Sequence, residues 1–100
     1  MAIFGVALNG LCYQAWNANT DSGQTADAGN HTLKLVRDGS ESIPTNNPTE
    51  VDSTNCPGLY QINLTSYEMS ANTVVLMGKS STAHVSIIPV TITTQPELSD

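Results

Sequence analysis

Residues 51–69 read VDSTNCPGLYQINLTSYEM, and the middle of that stretch decides the fold. Over residues 58–64 apolar and polar side chains alternate, with Tyr60, Ile62 and Leu64 on one side and Leu59, Gln61 and Asn63 on the other. A period of two puts successive side chains on opposite faces of an extended chain, so the segment predicts a strand with Tyr60, Ile62 and Leu64 in the core. Pro57-Gly58 in front of it suits a turn. Behind it, Thr65-Ser66-Tyr67-Glu68 has the spacing of a capping box, in which Thr65 and Glu68 each bond the other's backbone N–H. Turn, core strand and a short helical crossover are therefore predicted in sequence. Cys56 then enters as a turn residue.

The same period recurs on either side. In residues 31–37, Leu33 and Leu35 oppose Thr32, Lys34 and Val36, and the strand closes at Asp38-Gly39, a pair that tolerates the positive φ of a tight hairpin. In residues 11–16, Leu11, Tyr13 and Ala15 oppose Cys12, Gln14 and Trp16. The single tryptophan is expected in the core, because aromatic side chains supply much of a small domain's buried area. Residues 72–79 and 83–94 give two more extended runs, joined by Gly78-Lys79-Ser80-Ser81-Thr82 as a hairpin loop. In the last run the in-facing set is Val85 and Ile87, then Ile88, Val90 and Ile92, so the phase flips at Ile87-Ile88. Pro89 follows and cannot donate to a ladder, which predicts a bend by which an edge strand leaves one sheet for another.

Residues 41–55, with Pro44, Asn46, Asn47 and Pro48, form a longer excursion containing a brief strand at 49–51. Residues 17–30 hold no large apolar side chain and are expected to be exposed and mobile. Six or seven short strands separated by turn signals make this an all-β chain, a single immunoglobulin-like β-sandwich with one short helical crossover. Residues 1–10 read as an N-terminal arm or first strand, 11–94 as the sandwich, and 95–100 as a flexible C-terminal tail.

Composition narrows the function. Of 100 residues only 12% are charged, against about 25% in ordinary domains, while Ser, Thr and Asn total 31. The formal charge is −6, and Lys34, Arg37 and Lys79 are dispersed. A nucleic-acid groove needs concentrated cations, and an anionic membrane surface attracts the same, so neither is an expected partner. The apolar run MAIFGVALNGLC lacks a basic leader and is broken by Asn9 and Gly10, which predicts a retained arm rather than a signal peptide. Ile3, Phe4, Val6 and Leu8 on that arm are the candidate interface.

Chemistry-bearing residues are sparse. Cys12 and Cys56 stand 44 positions apart with no CxxC, which predicts reduced thiols, a Cys12–Cys56 bridge being the alternative. His31 and His84 each sit alone on a strand, so neither a metal nor a cofactor is expected. Asp21, Asp27, Glu50 and Asp52 offer at most weak calcium ligands without an Asp-rich loop. No nucleophile elbow or Gly-rich oxyanion loop accompanies the Ser, Cys and His residues, and the expectation is that the chain is not an enzyme.

Four segments in order carry a resemblance: AWNANT (15–20), TADAGNHTLKLVRDG (25–39), PTEVDSTNCPGLYQINLTSYEM (48–69) and GKSSTAHVSIIPVTI (78–92). Together they resemble a β-sandwich module that recurs in virion structural proteins of tailed bacteriophages and prophages. The matching positions are Trp16, Asp38, Gly39, Pro57, Gly58, Tyr60, Leu64, Thr65 and Glu68, which the resemblance implies are framework residues and not an active site. It implies virion localisation after synthesis in the host bacterial cytoplasm, with the major capsid protein or another virion protein as partner and a homo-oligomer on the particle. Capsid decoration or cementing is the leading expectation. A tail, collar or fibre component is the alternative, and a carbohydrate-binding sandwich is a second one that would need exposed aromatics. The chain departs from the pattern at Cys56, where a small unreactive residue would serve, and at Asn17, where an acid would be expected.

Overall fold

A computed structural model describes residues 2–96. The described residues form nine strands: β1 (Leu8–Asn17), β2 (Ser22–Gly23), β3 (His31–Arg37), β4 (Ser40–Ser42), β5 (Thr49–Asp52), β6 (Cys56–Leu64), β7 (Thr73–Ser80), β8 (Val85–Ile88) and β9 (Val90–Thr93). One sheet runs β2-β1-β6-β5 with β8 also on β1, and the other runs β4-β3-β7-β9. All these strand pairs are antiparallel. The result is the two-sheet β-sandwich that the alternation predicts.

Its core is made of the inward rows of both sheets. Tyr13 and Ala15 of β1 and Tyr60, Ile62 and Leu64 of β6 meet Leu33 and Leu35 of β3 and Val74 and Leu76 of β7, with Met69 and Ala71 closing one end. Each fully buried aliphatic side chain of this kind stabilises the fold by about 1.5–3 kcal/mol. The β3-β4 hairpin turns through Asp38 and Gly39, both at positive φ (47° and 88°), the geometry that matches strand twist in a two-residue loop. The Asp38 carboxylate also accepts the backbone N–H groups of Asn72 and Thr73 at 3.1 and 2.9 Å, which fastens the next strand to the turn.

The capping box closes as read: the Thr65 N–H donates to Glu68 Oε1 at 2.8 Å and the Glu68 N–H to Thr65 Oγ1 at 3.2 Å. The crossover is a single turn, with the Met69 N–H bonded to the Thr65 carbonyl. The 3-10 helix lies elsewhere, at Ala28–Asn30. The sheet switch predicted at Pro89 is also present, since β8 pairs with β1 and β9 with β7.

Several expectations are corrected. Trp16 is 38% exposed, because β3 and β7 pack on the Tyr13/Ala15 face and leave the indole on the outside of the sheet. Ile88 is exposed for a related reason: the bend at Pro89 takes it out of the inward row. The turn before β6 is not at Pro57-Gly58 but at residues 53–55, held by the Asp52 carboxylate on the N–H groups of Thr54 and Asn55. Gly58 instead lies within β6 at φ 84°, with Gly23 Cα and the Ala15 carbonyl where a Cβ would stand. Residues 78–80 belong to β7, and the loop after them crosses between sheets instead of closing a hairpin. Residues 17–30 are no free loop either, for Asn17 and Asp27 in it are buried. Of the predicted tail, Gln95 pairs with Ile3, and residues 97–100 lie outside the described residues.

Candidate functional site

The most heavily bonded polar group in the sandwich is Asp27, 2% exposed. The 3-10 turn Ala28–Asn30 carries the chain from Asp27 into β3, so His31 comes back over Asp27 and its Nε2 lies 2.9 Å from Asp27 Oδ2. The Ser80 hydroxyl donates to the same oxygen at 2.7 Å. Asp27 Oδ1 accepts from the Asn30 amide at 3.0 Å and from the Thr82 hydroxyl. Four donors fill a carboxylate's lone-pair sites. The Asp27 N–H donates to the Tyr60 hydroxyl at 3.0 Å, and that hydroxyl donates to the Gln24 carbonyl at 2.6 Å.

On the far side of His31, Nδ1 lies 2.8 Å from the Tyr13 hydroxyl. With His31 neutral, the chain of donors runs from the Tyr13 O–H to Nδ1 and from Nε2–H to the Asp27 carboxylate. The rings pack as well as bond: His31 meets Tyr60 edge to face at 4.7 Å between centroids, and Tyr13 stacks on Tyr60 at 5.8 Å. Burial of His31 lowers its pKa, and the Asp27 charge recovers only part of that. Burial works to raise the Asp27 pKa, but the hydrogen bonds from Asn30, Ser80 and Thr82, together with His31, outweigh it and leave the carboxyl below its ordinary value. The Tyr13 and Tyr60 hydroxyls are both pushed up, mainly by burial.

This arrangement clamps the loop before β3 to both sheets. Nucleophilic catalysis needs a Ser or Cys hydrogen-bonded to the His, with the acid behind it. Here Ser80 bonds the acid directly, and the outer nitrogen of His31 is taken by a tyrosine whose pKa is raised. A cation fares no better at Asp27, whose oxygens are filled. Among the described residues no three His, Cys, Asp or Glu side chains gather at metal-holding distance. The other calcium candidates are scattered: Glu50 Oε1 accepts the Ala26 N–H at 2.9 Å, Asp52 serves its own turn, and Asp21 lies in the loop after β1. Cys12 and Cys56 are both free and exposed, and His84 is exposed.

The candidate interface divides. Ile3 is bridged to Gln95 in a parallel register, with the Gln95 N–H on the Ala2 carbonyl at 3.0 Å and the Phe4 N–H on the Gln95 carbonyl at 2.8 Å. Leu8 is part of β1, opposite Leu64, and packs on the core. Only Phe4 and Val6, 40% and 43% exposed, offer apolar side chains to a partner. The arm is thus held against its own chain. Of the framework positions, Asp38, Gly39, Gly58, Tyr60, Leu64, Thr65 and Glu68 shape turns or fill the core, Glu68 also accepting the Thr45 N–H at 2.8 Å. Pro57 and Trp16 lie on the surface.

The Asp27–His31 pair was not singled out from the sequence. Its only signal was an acid four residues before a histidine at the start of an alternating run. No family model, no curated protein and no solved structure matches the chain.

Proposed function

We propose that this chain is a structural virion protein of a tailed phage or prophage, one that decorates or cements the capsid by docking on the coat. The observation that carries the reading is the end of the sandwich where Phe4 and Val6 stand exposed beside β9. Among the described residues that strand closes its sheet and pairs with β7 alone. An edge strand is a template for another chain, and two exposed apolar side chains beside it supply area to bury. The ordered resemblance of residues 15–92 to virion modules points the same way, as does the investment of the polar centre in cohesion.

The test is to assay purified particles of the encoding phage for this chain. Decoration requires many copies per particle at repeated head sites, and the tail or collar alternative requires few. A chain found only in the soluble fraction, with particles fully assembled without it, overturns the reading.

A further inference from the structure

We infer that the outward face of the sheet built on β1 and β6 binds a neutral oligosaccharide, with Trp16 as the stacking platform. The inference is independent of the virion reading. It begins with the misplaced tryptophan: Trp16 pairs across β1 with Gly23 on one side and Ser86 on the other. Cross-strand partners share a face, so the indole is bordered by two of the smallest side chains instead of being stacked under a neighbour. Gly23 is also fixed as glycine, since a Cβ there would overlap the Pro57 carbonyl.

The same face continues down β1 through Gln14 and Cys12, whose partners on β6 are Leu59 and Gln61. The Gln14 amide donates to the Pro57 carbonyl at 3.3 Å, which turns its nitrogen toward the sheet. Below Gln61 the bulge at Asn9 and Gly10 opens a groove of about 380 Å³, lined by the amides of Asn9, Asn47, Gln61 and Asn63 with Thr49. From Gly10 to Trp16 is six residues, or roughly 20 Å of strand, enough for a short oligosaccharide lying along it.

Charge selects the ligand class. The chain carries −6, yet none of these outward positions is ionisable apart from the Cys12 thiol, and the three cations Lys34, Arg37 and Lys79 all belong to the opposite sheet. Of the acids joined to this sheet, Glu50 accepts the Ala26 N–H and Asp52 bonds Asn55, while Asp21 lies in the turn between β1 and β2. An exposed indole beside a row of neutral amides offers an apolar surface for a pyranose ring and donors and acceptors for hydroxyls. It offers nothing to a phosphate, sulfate or uronate.

Because Trp16 is the one tryptophan, its emission reports the site alone. The full chain is titrated with cello-, malto-, chito- and manno-oligosaccharides, followed by fluorescence and calorimetry, with oligogalacturonate as the charged control. At least one neutral series should shift the emission saturably and more tightly than the control. Trp16→Ala should weaken that binding by about tenfold, Trp16→Phe by less, and Gln61→Ala by a few fold, all with unchanged circular dichroism. The inference is overturned if no neutral series saturates, if oligogalacturonate binds as tightly, or if the folded Trp16→Ala protein keeps wild-type affinity.

Discussion

The two ends of the sandwich are built on opposite terms. Around Asp27 each carboxylate oxygen and both nitrogens of the histidine beside it have a partner inside the protein. Around Phe4 and Val6 apolar side chains face solvent and the main chain is held by a few backbone bonds to Gln95 and Met69. Strand pairing alone would not distinguish these ends, but hydrogen-bond satisfaction does. A buried polar cluster stabilises only when complete, since each orphaned group carries its full desolvation penalty. The Asp27 end is therefore the part of the molecule least tolerant of change, and the Phe4 end the most tolerant.

The sharpest way to break that contrast is Asp27→Ala. It strips the acceptor from His31, Asn30, Ser80 and Thr82 together, and should cost about 3–5 kcal/mol in urea unfolding. A loss under 1 kcal/mol would mean that the cluster is not closed in solution.

Acid should attack the same end next. The His31 pKa is below its ordinary 6.5 in the folded chain, so the unfolded chain takes the proton first. Its contribution is complete above pH 6.5 and is lost as pH falls toward the folded value. The Asp27 pKa is below 3.8, so a second loss begins under that pH and runs down through the folded pKa. Each proton gives a slope of at most about 1.4 kcal/mol per pH unit. Urea midpoints at pH 7.5 and 5.5 should differ in the wild type and converge in His31→Gln, and a wild type that is flat between them contradicts a buried neutral imidazole.

Tyr60→Phe is milder. It keeps the ring in the core but removes the hydroxyl that accepts from the Asp27 N–H and donates to the Gln24 carbonyl, for an expected loss of about 1–3 kcal/mol. Measured beside Asp27→Ala in a double-mutant cycle, the two should be non-additive, because they share one network.

What was legible in the sequence follows the reach of each signal. Tyr60, Ile62 and Leu64 read correctly, as did Leu33 and Leu35, because one buried face imposes a period of two. Asp38-Gly39 read correctly because a tight hairpin demands positive φ at both positions. Periodicity splits β1 into two faces but does not say which one the other sheet covers. Size pointed to Trp16, and the packing of β3 and β7 chose Tyr13 and Ala15. Pro57-Gly58 outweighed the Asp52-to-Asn55 turn for a similar reason: a strong local turn signal masked a side-chain cap five residues earlier. The Asp27 cluster was hardest to see, since Ser80 and Thr82 reach it from more than fifty positions away. A polar loop with no large apolar residue looks solvated until its partners are known.

The smallest expected effect on stability tests the other end. Phe4→Ser combined with Val6→Ser leaves the Ile3–Gln95 bridge and the Leu8–Leu64 register intact, so unfolding should shift by no more than about 0.5 kcal/mol per site. The same protein mixed with particles lacking the chain should fail to sediment with them, whereas wild type sediments. This pair of substitutions separates docking from folding more cleanly than truncating residues 2–10, because residues 8–10 lie within β1 and their loss would damage the sheet itself. A double variant that folds and still decorates particles would move the docking surface away from this end, and a double variant that unfolds would make Phe4 and Val6 part of the scaffold that holds β9 in place.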